Sequence, residues 1–184
     1  VPANALVTGP PRSGKTTALE RTVARLRAAG DDVEGLVCPE LREGGERVGF
    51  EIAALGTDQC ATMAHVTFDG GPSVGKYGVD VAAIDRLARS VLEPAIGAVD
   101  CLILDEIAPM QARSDRFVAA TERALESATP VVAAIASDTR LPFVDRVRNR
   151  ADVETFVVEP ETRDDLPVRL LEWVRSRRGK RGDD

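Results

Sequence analysis

The sequence predicts an α/β fold: a three-layer sandwich around a mostly parallel sheet, with one β-hairpin inserted. Three observations carry this. Along the 184 residues, short apolar runs alternate with segments whose apolar residues recur at helical spacing. The first run, Ala5-Leu6-Val7-Thr8, leads into Gly9-Pro10-Pro11-Arg12-Ser13-Gly14-Lys15-Thr16 and then a helical pattern, the strand, loop and helix of a P-loop. A later run, Cys101-Leu102-Ile103-Leu104, ends in the carboxylate pair Asp105-Glu106.

Each element has its own signal. Leu19, Val23 and Leu26 give the first helix its apolar face, and Gly30 closes it. Val33 to Leu36 reads as a second strand. Glu43-Gly44-Gly45-Glu46 reads as a hairpin tip, with Val48, Phe50 and Ile52 alternating on the return. Asp80 caps a helix faced by Val81, Ile84, Leu87, Ala88, Val91 and Leu92, which ends near Pro94 and Gly97. After the strand Val99 to Leu104, Ser114 caps a helix carrying Phe117, Val118, Thr121, Ala124 and Leu125. Val131 to Ala136 reads as a buried strand, and Val153 to Val158 as the last strand. The last helix starts near Asp164 or Asp165, with Pro167 in its first turn and Leu170, Leu171 and Val174 inward. One domain over residues 1–178 is expected, with 179–184 a flexible tail.

Composition narrows the function classes. A formal net charge of −6 gives no overall pull towards nucleic acid or anionic lipid, so neither is expected as a partner. The basic run Arg175, Arg177, Arg178, Lys180 and Arg181 reads as a solvated chain end. Cys38, Cys60 and Cys101 are too few and too scattered for a disulfide framework or a zinc knuckle, which suits a reducing cytoplasm. No apolar run reaches membrane-spanning length and no leader pattern is visible. His65, the sole histidine, reads as structural, and a monomer is expected.

The loop explains its own residue types. Gly9 and Gly14 let the backbone curl and turn its N–H groups towards an anion, and the helix that follows adds its positive end. Pro10, Pro11, Arg12, Ser13 and Thr17 complete the cradle. Lys15 can reach β- and γ-phosphates, and the Thr16 hydroxyl can ligate magnesium. Opposite it, Asp105 can hold the same ion, and Glu106 can orient or deprotonate an attacking water. An Asp-Glu strand end is typical of ATPases in which one strand separates the two motif strands. No Asn-Lys-x-Asp or Thr-Lys-x-Asp guanine-reading motif occurs. Two glycine-rich segments lie on turns, 40–50 and 74–79, and their Arg42, Arg47 and Lys76 could neutralise phosphate charge or simply face solvent.

These residues resemble a family, the archaeal-type nucleoside-triphosphatases, whose vertebrate members are called cancer-related nucleoside-triphosphatase. The matching blocks are Gly9-Pro10-Pro11-x-x-Gly14-Lys15-Thr16-Thr17, Glu40-x-Arg42-x-x-Gly45-x-Arg47-x-Gly49-Phe50, Val74-Gly75-Lys76-Tyr77-Gly78-Val79, and Asp105-Glu106-Ile107 followed by Met110, Ser114 and Phe117. A weaker block is Thr162-Arg163-Asp164, where the family tends to have Asn-Arg-Asp. The resemblance covers nearly the whole chain. It implies a RecA-like P-loop sheet and magnesium-dependent hydrolysis of ATP, GTP and other nucleoside triphosphates to diphosphate and phosphate, with broad base tolerance and slow turnover. It also implies site roles for Arg42, Arg47 and Lys76, and a place for Arg163 beside the base.

The chain departs from the pattern at three points. Ala108-Pro109 stand where the family often has Gly-Lys, so that lysine's role is absent or falls to Arg113 or Arg116. Arg12 occupies a position that is commonly glycine. Thr162 replaces the asparagine. The motifs and the resemblance together lead us to expect a nucleoside-triphosphate hydrolase. The alternatives are a nucleotide or small-metabolite kinase using the same loop, or a nucleotide-dependent regulatory module.

Overall fold

Apolar alternation along the central strands sorts the core into two layers, one on each face of a single ten-stranded sheet. The computed structural model describes residues 3–178. The chain runs β1 (Asn4–Gly9), α1 (Lys15–Ala28), β2 (Val33–Val37), β3 (Glu40–Glu43), β4 (Glu46–Ala54), β5 (Cys60–His65), β6 (Ser73–Val74) and β7 (Tyr77–Val79). Then follow α2 (Val81–Leu87), β8 (Cys101–Asp105), α3 (Asp115–Glu126), β9 (Val131–Ala136), α4 (Pro142–Arg148), β10 (Val153–Val157) and α5 (Leu166–Arg178). The expected tail at 179–184, with Lys180 and Arg181, lies outside the described residues.

Across the sheet the order is β10-β1-β9-β8-β2-β4-β5-β7-β6, with β3 beside β4. The first five are parallel, so their C-terminal ends share one edge, where α/β sheets bind ligands. β9 lies between β1 and β8, the one-strand separation expected from the Asp-Glu motif. Ala5 and Val7 of β1, Cys101 and Ile103 of β8, and Val132 and Ala134 of β9 pack against α1 and α5. Their neighbours Leu6, Leu102, Leu104, Val131, Ala133 and Ile135 face the other way, against α2, α3 and α4. These are the three layers.

The expected caps form. Asp80 Oδ1 accepts from the Ala83 amide at 3.0 Å, and Ser114 Oγ from the Phe117 amide at 2.9 Å. α2 continues through a π-turn, Ala88–Leu92, into a final turn, Glu93–Ala95. The last helix begins at Leu166 with Pro167 second.

Two features exceed the sequence reading. The β insertion is more than a hairpin. Its tip at Gly44-Gly45 is as expected, but β5, β6 and β7 add further antiparallel strands, and β4 joins them to β2. Segment 74–79 is therefore mostly strand, with only Gly75 and Lys76 in the turn. α4 was not anticipated; it opens with Pro142 and buries Phe143, Val144 and Val147.

Candidate active site

The chain leaves β1 at the parallel edge and curls at once, with the Ser13 amide donating to the Pro10 carbonyl at 3.2 Å. Gly14 sits at φ 102°, a left-handed conformation costly for a residue with a β-carbon. At Gly9 a β-carbon would fall 2.6 Å from Ser13 Oγ, so a larger residue there would force the Ser13 side chain to move. α1 then begins at Lys15 with no acidic residue in its first turn, leaving its positive end uncompensated. The Lys15 side chain is only 8% exposed. Its ammonium folds over the loop, donating to the Pro10 carbonyl at 2.9 Å and the Gly9 carbonyl at 3.1 Å.

β8 delivers the carboxylates. Its last residue, Asp105, is in register with Val37 at the end of β2, and the cis peptide that follows leads to Glu106. Both line a cavity of about 540 Å³ together with Pro11, Arg12, Lys15 and Thr16. Burial raises the proton affinity of Asp105 and Glu20 adds to it, while the Thr16 hydroxyl and Lys15 oppose the rise. Burial also raises Glu106, helped by the charges of Asp105 and Asp138, and Lys15 opposes it. Carboxylates thus outnumber the one buried ammonium beside them.

From the other side the β insertion supplies cations. Arg47 Nε donates to the Tyr77 hydroxyl at 3.0 Å, and its Nη1 lies 3.1 Å from Glu40 Oε1. Its guanidinium rests 5.2 Å from the Phe50 ring centre and 5.8 Å from that of Tyr77. Arg42 pairs with Glu40 at 2.7 Å and donates to the Gly45 carbonyl at 2.9 Å. Arg42 first, and Arg47 after it, hold the Glu40 carboxyl below its ordinary range against the opposing effect of burial.

The predicted residues divide among three spaces. Pro11, Arg12, Gly14, Lys15, Thr16, Thr17, Arg47, Asp105 and Glu106 line the main cavity. Gly9, Pro10 and Ser13 form the loop behind it, and Ser13 Oγ is buried without a hydrogen-bond partner. Arg42 and Lys76 line an adjoining cavity that shares Arg12 and Arg47. Arg163 lines a third, of about 170 Å³, on the far side of Gly14 and Thr17. Neither candidate for the missing lysine lines the main cavity: Arg113 donates to the Ser73 carbonyl at 3.1 Å, and Arg116 pairs with Glu93 at 3.0 Å. Five lining residues were not among the predicted site residues: Cys38, Pro39, Glu40, Phe50 and Ala136. Cys38 and Ala136 sit at the ends of β2 and β9, which flank β8, so the parallel order itself was the available signal.

With this geometry in place, comparison with known proteins is decisive. A family profile described as NTPase matches residues 4–171. The chain belongs to this family. Within it, the chain is 40% identical to the nucleoside-triphosphatase THEP1 of Methanopyrus kandleri over 175 residues, 95% of this chain and 96% of that protein. The THEP1 of Methanothermobacter thermautotrophicus is 35% identical over 176 residues, covering 96% and 98%. The fold matches the crystal structure of THEP1 from Aquifex aeolicus with a TM-score of 0.82 at 28% identity, covering 93% and 98%. The solution structure of a human cancer-related nucleoside triphosphatase gives 0.79 at 30% identity, covering 94% and 97%.

The donor set also fits a magnesium ion. Thr16 and Asp105 offer a hydroxyl and a carboxylate, the hard oxygen ligands magnesium prefers. No group of three or more His, Cys, Asp or Glu that could hold a metal occurs among the described residues.

Proposed function

We propose that this nucleoside-triphosphatase carries out magnesium-dependent hydrolysis of ATP, GTP and other nucleoside triphosphates to diphosphate and phosphate, in the cavity between the P-loop and the tip of β8. The observation that carries this reading is that Asp105 and Glu106 line the same cavity as Lys15 and Thr16.

The division of labour follows from position and charge. The loop amides and the start of α1 receive the β- and γ-phosphates, and the Lys15 ammonium moves from the Gly9 and Pro10 carbonyls to phosphate oxygens. Thr16 and Asp105 would hold magnesium, which supplies charge neutralisation at the β- and γ-oxygens when bound. Glu106 takes the proton of a water as the water oxygen bonds to γ-phosphorus. The bond from γ-phosphorus to the bridging oxygen breaks, and its electron pair leaves on the diphosphate. Its raised proton affinity makes Glu106 a better base than an exposed glutamate. Arg47, held in place by Tyr77 and Glu40, offsets charge on the γ-phosphoryl oxygens. Arg163, across Gly14 and Thr17, offers a planar cation to the base, a contact that tolerates many bases.

The protein is further proposed to act as a cytoplasmic monomer without nucleic acid or membrane. Three free cysteines support the reducing compartment, and no helix among the described residues is long and apolar enough to cross a membrane. The test is phosphate release from a panel of ribo- and deoxyribonucleoside triphosphates with and without magnesium. Release from several bases, abolished by chelation, is expected; release that needs an added acceptor instead of water would overturn the reading in favour of a kinase.

A further inference from the structure

The adjoining cavity, of about 400 Å³, is given no ligand by the reaction just described. Its size lies within the range of small-ligand sites, about 300–1,000 Å³. Its walls are Arg12, Arg42, Glu46, Arg47, Lys76 and Tyr77. Four cations thus face one carboxylate there, and Glu40 is the only other acid paired with them among the described residues. Lys76 extends over the Tyr77 ring, 5.4 Å from its centre, and makes no ion pair among the described residues. Arg12 likewise has no ion-pair partner among them, and its backbone sits at φ 62°, a strained conformation for a non-glycine residue and one that gathers at ligand clamps.

Arg12 and Arg47 also line the catalytic cavity, so the two spaces meet at those guanidinium groups. Cations gathered round an open space repel one another, and an oxygen-rich anion relieves that repulsion. Guanidinium forks match phosphate in geometry as well as charge. An apolar or cationic ligand would gain nothing there.

We infer that this cavity is a subsite for one further phosphate group beside the γ-phosphate, so that the chain accepts nucleoside polyphosphates with more than three phosphates. The inference rests on the proposed placing of the triphosphate between Lys15 and Glu106. The extra phosphate can arrive attached, as the terminal group of a nucleoside 5′-tetraphosphate, or as a separate inorganic phosphate ion. Arg42 and Lys76 hold it, and Arg12 and Arg47 are shared with the γ-phosphate.

The test is calorimetric titration of the Glu106→Gln protein, in which nucleotide survives, with magnesium and either ATP or adenosine 5′-tetraphosphate. A third arm adds inorganic phosphate to the ATP-saturated protein. The tetraphosphate should bind about tenfold more tightly than ATP, the gain expected of one charge-assisted contact. That preference should fall towards unity when Lys76→Glu, or Arg42→Ala with Lys76→Ala, is added. Melting curves of these variants, which alter exposed side chains, report their folding. Phosphate binding that the same substitutions abolish identifies the separate ion as the ligand. Equal affinities with no phosphate binding, or a preference that survives the substitutions, overturns the inference. ATP hydrolysis by the unsubstituted protein, followed alongside, separates the failures: if it proceeds, only the subsite is lost; if ATP neither binds nor is hydrolysed, the reading beneath it falls as well.

Discussion

The Lys15 ammonium lies 2.9 Å from the Pro10 carbonyl, so the loop proposed to hold phosphate already holds the cation proposed to meet it. The position is nearly buried, and little reorganisation is needed when an anion takes the carbonyls' place. Lys15→Ala should lower turnover by about 10²–10³-fold and weaken ATP binding. Phosphate release and calorimetric titration check this.

Glu106 carries a stability cost. Burial raises its proton affinity in the folded chain, so the folded state holds this proton more tightly than the unfolded one. The favourable contribution is full below the unfolded value and is lost as pH rises through the folded one. Glu106→Gln removes the buried charge and should therefore melt higher than the parent at pH 7.5. About 1 kcal/mol would give a rise of about 2–4 °C in a domain of this size. The gap should close below about pH 4, where the carboxyl is neutral in both states. Thermal melts between about pH 3 and pH 7.5 follow it, and a gap that widens towards acid contradicts the assignment.

Arg47 depends on its tether. The Tyr77 hydroxyl fixes Nε at 3.0 Å, and the rings of Phe50 and Tyr77 bed the guanidinium plane. Tyr77→Phe should lower kcat by about two- to tenfold with little change in KM, the signature of a contact that matters most in the transition state. Arg47→Lys should do worse, since an ammonium cannot serve Tyr77, Glu40 and a phosphate oxygen in one plane.

The three thiols should behave differently. Burial pushes the Cys38 thiol up to about 12, opposed by the Gln111 amide that donates to its sulfur and aided by Asp105 and Glu106. Burial also raises Cys101, while Cys60 is exposed. At pH 8 a thiol reagent should modify one cysteine quickly in the folded protein and three after denaturation. Protection of Cys60, or rapid labelling of Cys38, contradicts the structure.

The site's two halves were readable because local chemistry dictates them. Only glycine suits Gly14's left-handed backbone, and an apolar strand ending in Asp105-Glu106 declares itself within six residues. The caps at Asp80 and Ser114 were readable for the same reason. What escaped depends on distant partners. β5 has weak strand character of its own, and Met63 and Ala64 are buried by distant partners, among them the neighbouring strands β4 and β7. β6 and β7 are two and three residues long, too short for alternation to register. α4 has only seven residues, with three buried contacts and a proline start. Tyr77 as anchor of Arg47 joins positions thirty residues apart, a pairing that strand order alone creates. Arg113 and Arg116, plausible by spacing, are committed elsewhere by the packing of α2, α3 and β6.

The most direct measurement compares the parent with Glu106→Gln in ATP affinity and in single-turnover phosphate release, each with magnesium. The account predicts affinity within about threefold of the parent and release slower by about 10²–10⁴-fold, with bound ATP recovered intact. Release at the parental rate would contradict it, because the carboxylate facing Lys15 would then have no part in the chemistry.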